Sequence, residues 1–161
     1  MTKQKEVKTN AMRILDKLKI DYTHQSYECH EFVDGLQTAD LLKLPYEQVY
    51  KTLVTEGKSK NYFVFVIPID KELDMKKAAK AVGEKAVAMI HLKDLTAITG
   101  YVRGGCTAIG MKKQLKTVIN DTAKELDTIY ISGGKIGLQI QLRPDDFCTA
   151  AAAVYGDIIT S

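Results

Sequence analysis

Lys51 interrupts an apolar strand-like run, Val49–Val54, "VYKTLV". Side chains alternate between the two faces of a strand, so Lys51 shares a face with Val49 and Leu53, while Tyr50, Thr52 and Val54 point the other way. Such a lysine either snorkels to the sheet edge or aims its ammonium group into a cleft, as a phosphate anchor or a stabiliser of developing negative charge. The second chemical candidate is "GYVRGGCTAIGMKK", Gly100–Lys113. Consecutive Gly104 and Gly105 let backbone N–H groups approach a carbonyl or phosphate oxygen, because no Cβ intervenes. The alternative is a tight turn or bulge. The spacing is neither a P-loop nor a dinucleotide fingerprint.

Lysines form two further bands. Lys76, Lys77 and Lys80 lie close on one helical face with Lys85 just beyond, and Lys112, Lys113 and Lys116 follow the glycine loop. Bands of this kind track a phosphate backbone or form the solvated side of an element. "YECHE", Tyr27–Glu31, puts Cys29, His30 and Glu31 together near His24. No second ligand cluster stands at a usual spacing, so a metal site is not expected. Gly-x-Ser-x-Gly and His-Glu-x-x-His patterns are missing. The residues alone thus imply an anion-friendly cleft without an obvious nucleophile.

The elements that must position these groups follow from periodicity. The 161 residues suit one domain spanning 1–161. The net charge of +3, from 23 basic and 20 acidic residues, is too small to mark a nucleic-acid binder unless the charge is clustered. Cys29, Cys106 and Cys148 are odd in number and widely spaced, which argues against a disulfide framework and a zinc ribbon. The first residues lack an apolar signal core and no later run reaches membrane-spanning length, so a soluble cytoplasmic protein with no membrane association is expected.

Val7, Met12, Ile14, Leu15 and Leu18 make one helical stripe, predicting a helix over about Lys5–Lys19. Tyr22–Tyr27 alternates as a strand. "DGLQTADLLKL" offers Asp34 as a cap for a short helix ending near Pro45. "VYKTLVTE" and "NYFVFVIP" flank the turn "GKSK" as a hairpin. "DMKKAAKAVG" is a helix capped by Asp74 and closed by Gly83. "KAVAMI" is a strand, and "LKDLTAITG" a short helix stopping at Gly100. "LKTVIN" and "DTIYIS" are strands around a two-turn helix, "DTAKEL". "YISGGKIGLQIQL" is a hairpin with a Gly-Gly turn, and "RPDDFCTAAAAV" closes the chain as a helix. The sum is an α+β domain with a mixed, strongly curved sheet and flanking helices.

"YKTLV", followed about fifty residues on by "GYVRGGCTAIGMKK" and then by "KTVIN" and "TIYISGGKIGLQI", resembles the YbaK/EbsC family of aminoacyl-tRNA editing domains, above all the Cys-tRNA(Pro) deacylases. The similarity is collinear from roughly Thr9 to Ile159. It implies a freestanding editing domain that removes cysteine from mischarged tRNA(Pro), without a cofactor and with prolyl-tRNA synthetase as a second partner. A second sieve is physically sensible, because a pocket separates near-isosteres such as proline and cysteine poorly. The resemblance assigns Lys51, Gly104 and Gly105 to the catalytic site, and Tyr27, Thr107, Ser132 and Cys106 to substrate binding. The lysine bands, Lys76, Lys77, Lys80, Lys112 and Lys113, become candidates for contacting tRNA.

Relatives often carry Gly-Gly-x-Ser-Pro, where this chain has Gly105-Cys106-Thr107-Ala108 after Gly104. Thr107 keeps the hydroxyl, while Ala108 loses proline's fixed φ and gains an N–H, so a looser loop is expected. Cys106 reads as a small pocket wall rather than a nucleophile. The absence of a protein nucleophile suits attack by the substrate's own thiol, which the family implies, or by a water held by Tyr27, Thr107 or Ser132. Release of another amino acid such as alanine, and a non-catalytic module that binds the tRNA end beside a synthetase, are the alternative functions.

Overall fold

Thr9, not a residue further upstream, starts the first helix, because its side chain accepts a hydrogen bond from the Met12 N–H at 3.3 Å. The computed structural model describes residues 8–27 and 35–161. Helix α1 (Asn10–Lys17) is followed by β1 (Tyr22–Ser26), α2 (Gly35–Leu42) and the hairpin β2 (Tyr50–Gly57) and β3 (Tyr62–Pro68). Next come α3 (Met75–Val82), β4 (Val87–Met89), α4 (Leu95–Thr99) and β5 (Lys116–Asn120). The chain ends with β6 (Ile129–Ser132), β7 (Leu138–Leu142), α5 (Pro144–Ala151) and β8 (Ala153–Gly156). The expected cap Asp34 lies outside the described residues, as do Cys29, His30 and Glu31.

The expected α+β class with a mixed sheet and flanking helices is the one observed. The mixed sheet has five strands in the order β4-β2-β3-β5-β8, and β1-β7-β6 form a second, antiparallel sheet. An isolated parallel bridge between Val49 and Tyr130 joins the two at the start of β2. β3 runs antiparallel to β2 and parallel to β5, so it lies inside the sheet with neighbours on both edges. That position explains why "YFVFVIP" is apolar on both faces. Val64 and Val66 enter the main core with Leu15, Ile119 and Phe147, whereas Phe63, Phe65 and Ile67 pack under Ala78, Ala79 and Val82 of α3. Fully burying a side chain such as Phe65 stabilises the fold by about 1.5–3 kcal/mol.

Asp74 caps α3 by accepting the Lys76 and Lys77 N–H groups at 3.0 Å each, and Gly83 closes it at φ 74°. Gly100 ends α4 in the same left-handed way, at φ 83°. Four local expectations need correction. β8 was not expected, because "AVYG" follows an alanine run that reads as continuing helix. Ala152 instead turns left-handed at φ 52°, and Ala153–Gly156 add a parallel edge strand to β5. "DTAKEL" forms a single 3-10 stretch, Asp121–Glu125, rather than two α-helical turns. The β6–β7 connection is five residues long, 133–137, rather than a two-residue turn. Finally, β1 stops at Ser26, and Tyr27 donates its backbone N–H to Gly137 O at 2.8 Å beyond the strand.

Candidate active site

β2 leaves the bridge with β6 carrying Lys51 into a cleft of about 500 Å³. The alternation along the strand distributes its neighbours. Tyr50 and Val54 enter the main core, Leu53 packs with the cluster under α3, and Val49 joins Ala39 and Ile69. Lys51 is half-buried and donates to the Ile69 carbonyl at 3.4 Å, a weak bond that leaves ammonium hydrogens for a ligand. Tyr27, Gly104, Cys106 and Ser132 line the same cleft, so three stretches of chain far apart in sequence meet Lys51 there. The remaining wall is largely aliphatic, with Leu53, Met89, Leu92 and Leu95 at its rim and sides.

The glycine loop is held from several directions. The Tyr101 hydroxyl donates to Ile109 O at 2.6 Å, and Asn10 Nδ2 donates to Gly110 O at 2.7 Å. Thr9, while capping α1, donates its hydroxyl to Gly133 O at 2.6 Å. The start of α1 thereby ties the glycine loop to the late hairpin. Gly104 takes φ +84°, a conformation that favours glycine. Gly105 is needed for a different reason: a Cβ there would lie 2.7 Å from Lys135 Cα and 2.8 Å from Lys135 C. The double glycine therefore serves a left-handed turn and a close backbone approach at adjacent positions.

Not every expected site residue faces the cleft. Gly105 donates its N–H to Val102 O at 3.0 Å, which removes that group as an oxyanion donor. The Gly104 N–H makes no hydrogen bond among the described residues. Thr107 is fully buried and accepts the Ile109 N–H at 3.4 Å, so its hydroxyl serves the loop rather than a ligand. Lys77 is tied to Asp157 at 3.2 Å and to Ile159 O at 3.0 Å, fastening α3 to the chain's end. Lys112 donates to Ala97 O at 3.4 Å, while Lys76, Lys80 and Lys113 are exposed away from the cleft wall.

Among the lining residues that escaped the sequence reading, Arg103 and Gln139 carry polar groups of consequence. Arg103, immediately before the double glycine, stands exposed at the cleft. Its signal was present, a cation next to a glycine pair. Gln139 on β7 is buried. The alternation in "LQIQL" gave Gln139 and Gln141 a common polar face, which reads as solvated, so nothing local announced that burial.

Among the described residues, none that lines the cleft is set up as a nucleophile. Burial pushes the Cys106 thiol up to about 11, partly offset by a hydrogen bond with the Thr99 side chain, which keeps it protonated at neutral pH. Tyr101 is likewise pushed up to about 12, first by burial and then by the neighbouring Cys106. Among the described residues no group of three or more His, Cys, Asp or Glu side chains could hold a metal ion, and no helix is long and apolar enough to cross a membrane.

An apolar cleft with one half-buried ammonium group, an exposed guanidinium and an open backbone N–H defines a site for a partly apolar, anion-bearing ligand. The chain belongs to the aminoacyl-tRNA editing domain family, whose model matches residues 31–150. It is 42% identical over 159 residues to the Enterococcus faecalis protein described as "Putative Cys-tRNA(Pro)/Cys-tRNA(Cys) deacylase EbsC", covering 98% of this chain and 97% of that protein. It is also 29% identical over 101 residues to a proline–tRNA ligase of Kosmotoga olearia, aligning with 17% of that longer protein. A solved structure described as a "putative trans-editing enzyme for prolyl tRNA synthetase" shares the fold, with a TM-score of 0.80 at 17% identity over 97% of this chain and 100% of that one. A hypothetical protein of known structure gives 0.85 at 18% identity, over 94% of this chain and 99% of that one.

Proposed function

We propose that this chain is a trans-editing deacylase that releases cysteine from mischarged tRNA(Pro). The observation that carries the reading is the convergence of Lys51, Gly104, Tyr27 and Ser132 on one apolar cleft, and the relative at 42% identity supports the substrate. Lys51 binds the phosphate or ribose of the terminal adenosine, and Arg103 takes a neighbouring phosphate at the mouth. Arg's fork favours bidentate phosphate contacts, while Lys acts as a point charge. The ester carbonyl then faces the Gly104 N–H. Negative charge on that oxygen grows in the transition state, and losing one such donor typically costs roughly two to three orders of magnitude in rate.

The attacking group is the substrate's own thiol. Its sulfur, as thiolate, bonds to the ester carbonyl carbon. The ribose oxygen leaves and takes a proton, releasing free tRNA and a cyclic thiolactone. This route needs positioning and an oxyanion donor but no protein nucleophile, and positioning alone can supply much of a rate enhancement. Cys106, kept protonated by burial, serves as a wall. Selection of the tRNA would fall to prolyl-tRNA synthetase held in complex, with Lys76, Lys80, Lys112 and Lys113 guiding the acceptor stem.

The test is deacylation of cysteinyl, seryl and alanyl esters of the same tRNA. Rapid release of cysteine with slow release of serine supports thiol attack, since a hydroxyl is far less nucleophilic at neutral pH. Equal turnover of the serine and cysteine esters would contradict it. Preferred release of alanine would reassign the substrate, and binding without release would make the domain a non-catalytic module.

A further inference from the structure

We propose that Gln139, with Ser132 beside it, recognises the α-ammonium group of the amino acid carried by the substrate; this rests on the aminoacyl-tRNA reading above. Ser132 and Gln139 are direct partners across the β6–β7 ladder, so their side chains stand side by side on one face. That face is the polar one of the small sheet, since Ile129, Ile131, Leu138, Ile140 and Leu142 all turn to the core. Both residues line the cleft with Lys51 and Gly104. Gln139 is only 8% exposed, yet neither its Oε1 nor Ser132 Oγ has a hydrogen-bond partner among the described residues. Gln141, two residues along the same face, is satisfied by Thr23 and Thr128.

A buried acceptor left unpaired is destabilising, and two adjacent ones in a ligand cleft call for a donor, from water in the free protein and from a ligand group when the cleft is filled. Gln139 Oε1 only accepts, and Ser132 Oγ can also accept. The ligand group they fit is therefore rich in N–H donors. An α-ammonium group has three, and its charge strengthens each bond. The cationic side of the cleft, Lys51 and Arg103, would repel that group and attract phosphate. The neutral Ser132–Gln139 wall offers the ammonium group two adjacent unpaired acceptors. Holding it there fixes the α-carbon, and with it the side-chain thiol, relative to the carbonyl.

The experiment measures binding by titration calorimetry, using the whole chain and two adenosine amides. One is 3′-deoxy-3′-(L-cysteinylamino)adenosine; the other is its des-amino counterpart with a 3-mercaptopropionyl group. The wild-type chain is expected to favour the amino form by at least about tenfold, the range of a charge-assisted hydrogen bond. Gln139→Met should bring the ratio close to one while leaving affinity for the des-amino amide unchanged, which also shows that the variant folds. Gln139→Glu, which keeps the acceptors and loses the donors, should retain or raise the preference. An unchanged ratio in Gln139→Met, a ratio near one in the wild type, loss of preference in Gln139→Glu, or binding of neither amide would overturn the proposal. The amides are not turned over as esters are. A chain that discriminates between them but releases no cysteine from tRNA(Pro) therefore refutes the deacylase reading alone.

Discussion

Gly105→Ala adds a single methyl group where the glycine loop meets the late hairpin. That carbon would stand 2.7 Å from Lys135 Cα, 2.8 Å from Lys135 C and 3.0 Å from Ile136 N, all backbone atoms that cannot rotate away. Ordinary carbon contacts lie at about 3.5–4.0 Å, so loop and hairpin must separate by roughly an ångström. Overpacking of this kind costs about 1–3 kcal/mol of stability. For a chain of this size each kcal/mol lowers Tm by roughly 2–4 °C. The movement carries Gly104 and Cys106 on one side and, through Gly133, Ser132 on the other. A misplacement near one ångström at a reacting centre can cost about 100-fold, so kcat/KM should fall by that order while the substrate still binds. Because no left-handed φ is required at Gly105, strain cannot produce the effect, and thermal melts with single-turnover deacylation measure both parts. An unaltered Tm together with full activity would refute the packing account of the double glycine.

Other outcomes follow from the same geometry. Cys106→Ala should keep activity within a few-fold, whereas loss of three or more orders of magnitude would make the thiol a nucleophile. Alkylation of the Cys106 thiol should stay slow at pH 8 and rise toward half-maximal thiolate near pH 11, about two units above an ordinary thiol, as followed by mass spectrometry across a pH series. Asp74→Ala removes an acceptor for two helical N–H groups and should lower stability by about 1 kcal/mol without changing activity, read from denaturant melts. Lys80→Gln and Lys113→Gln together should weaken tRNA binding and flatten its salt dependence by roughly one to two counterions, and an unaltered slope would remove these lysines from the tRNA path.

Much of the fold was legible because local chemistry and tertiary position agree. Asp74 and Gly83 bound α3, Gly100 ends α4, and the apolar run of β3 matches a strand buried on both faces. The misses share a cause. β8 depends on Ala152 adopting a left-handed turn, and an alanine run carries no warning of it. For the site, residue type and order located Lys51 and the glycine pair, but they could not say which glycine N–H is engaged. That depends on the Val102 carbonyl folding back within the loop. Thr107 and Gln139 show the same limit from opposite sides. The hydroxyl that looked available is buried in the loop, and an amide that the sequence did not single out is buried in the cleft.

The role proposed for Lys51 is to hold the tRNA end against the Gly104 N–H. Its most direct measurement is the single-turnover release of cysteine from Cys-tRNA(Pro) by the wild-type chain and by Lys51→Ala, with far-ultraviolet circular dichroism showing that both are folded. Release by the wild type and a loss of at least about 100-fold in the variant are expected, in line with the removal of a positioning contact. Release at wild-type rate by a folded Lys51→Ala chain would contradict that role.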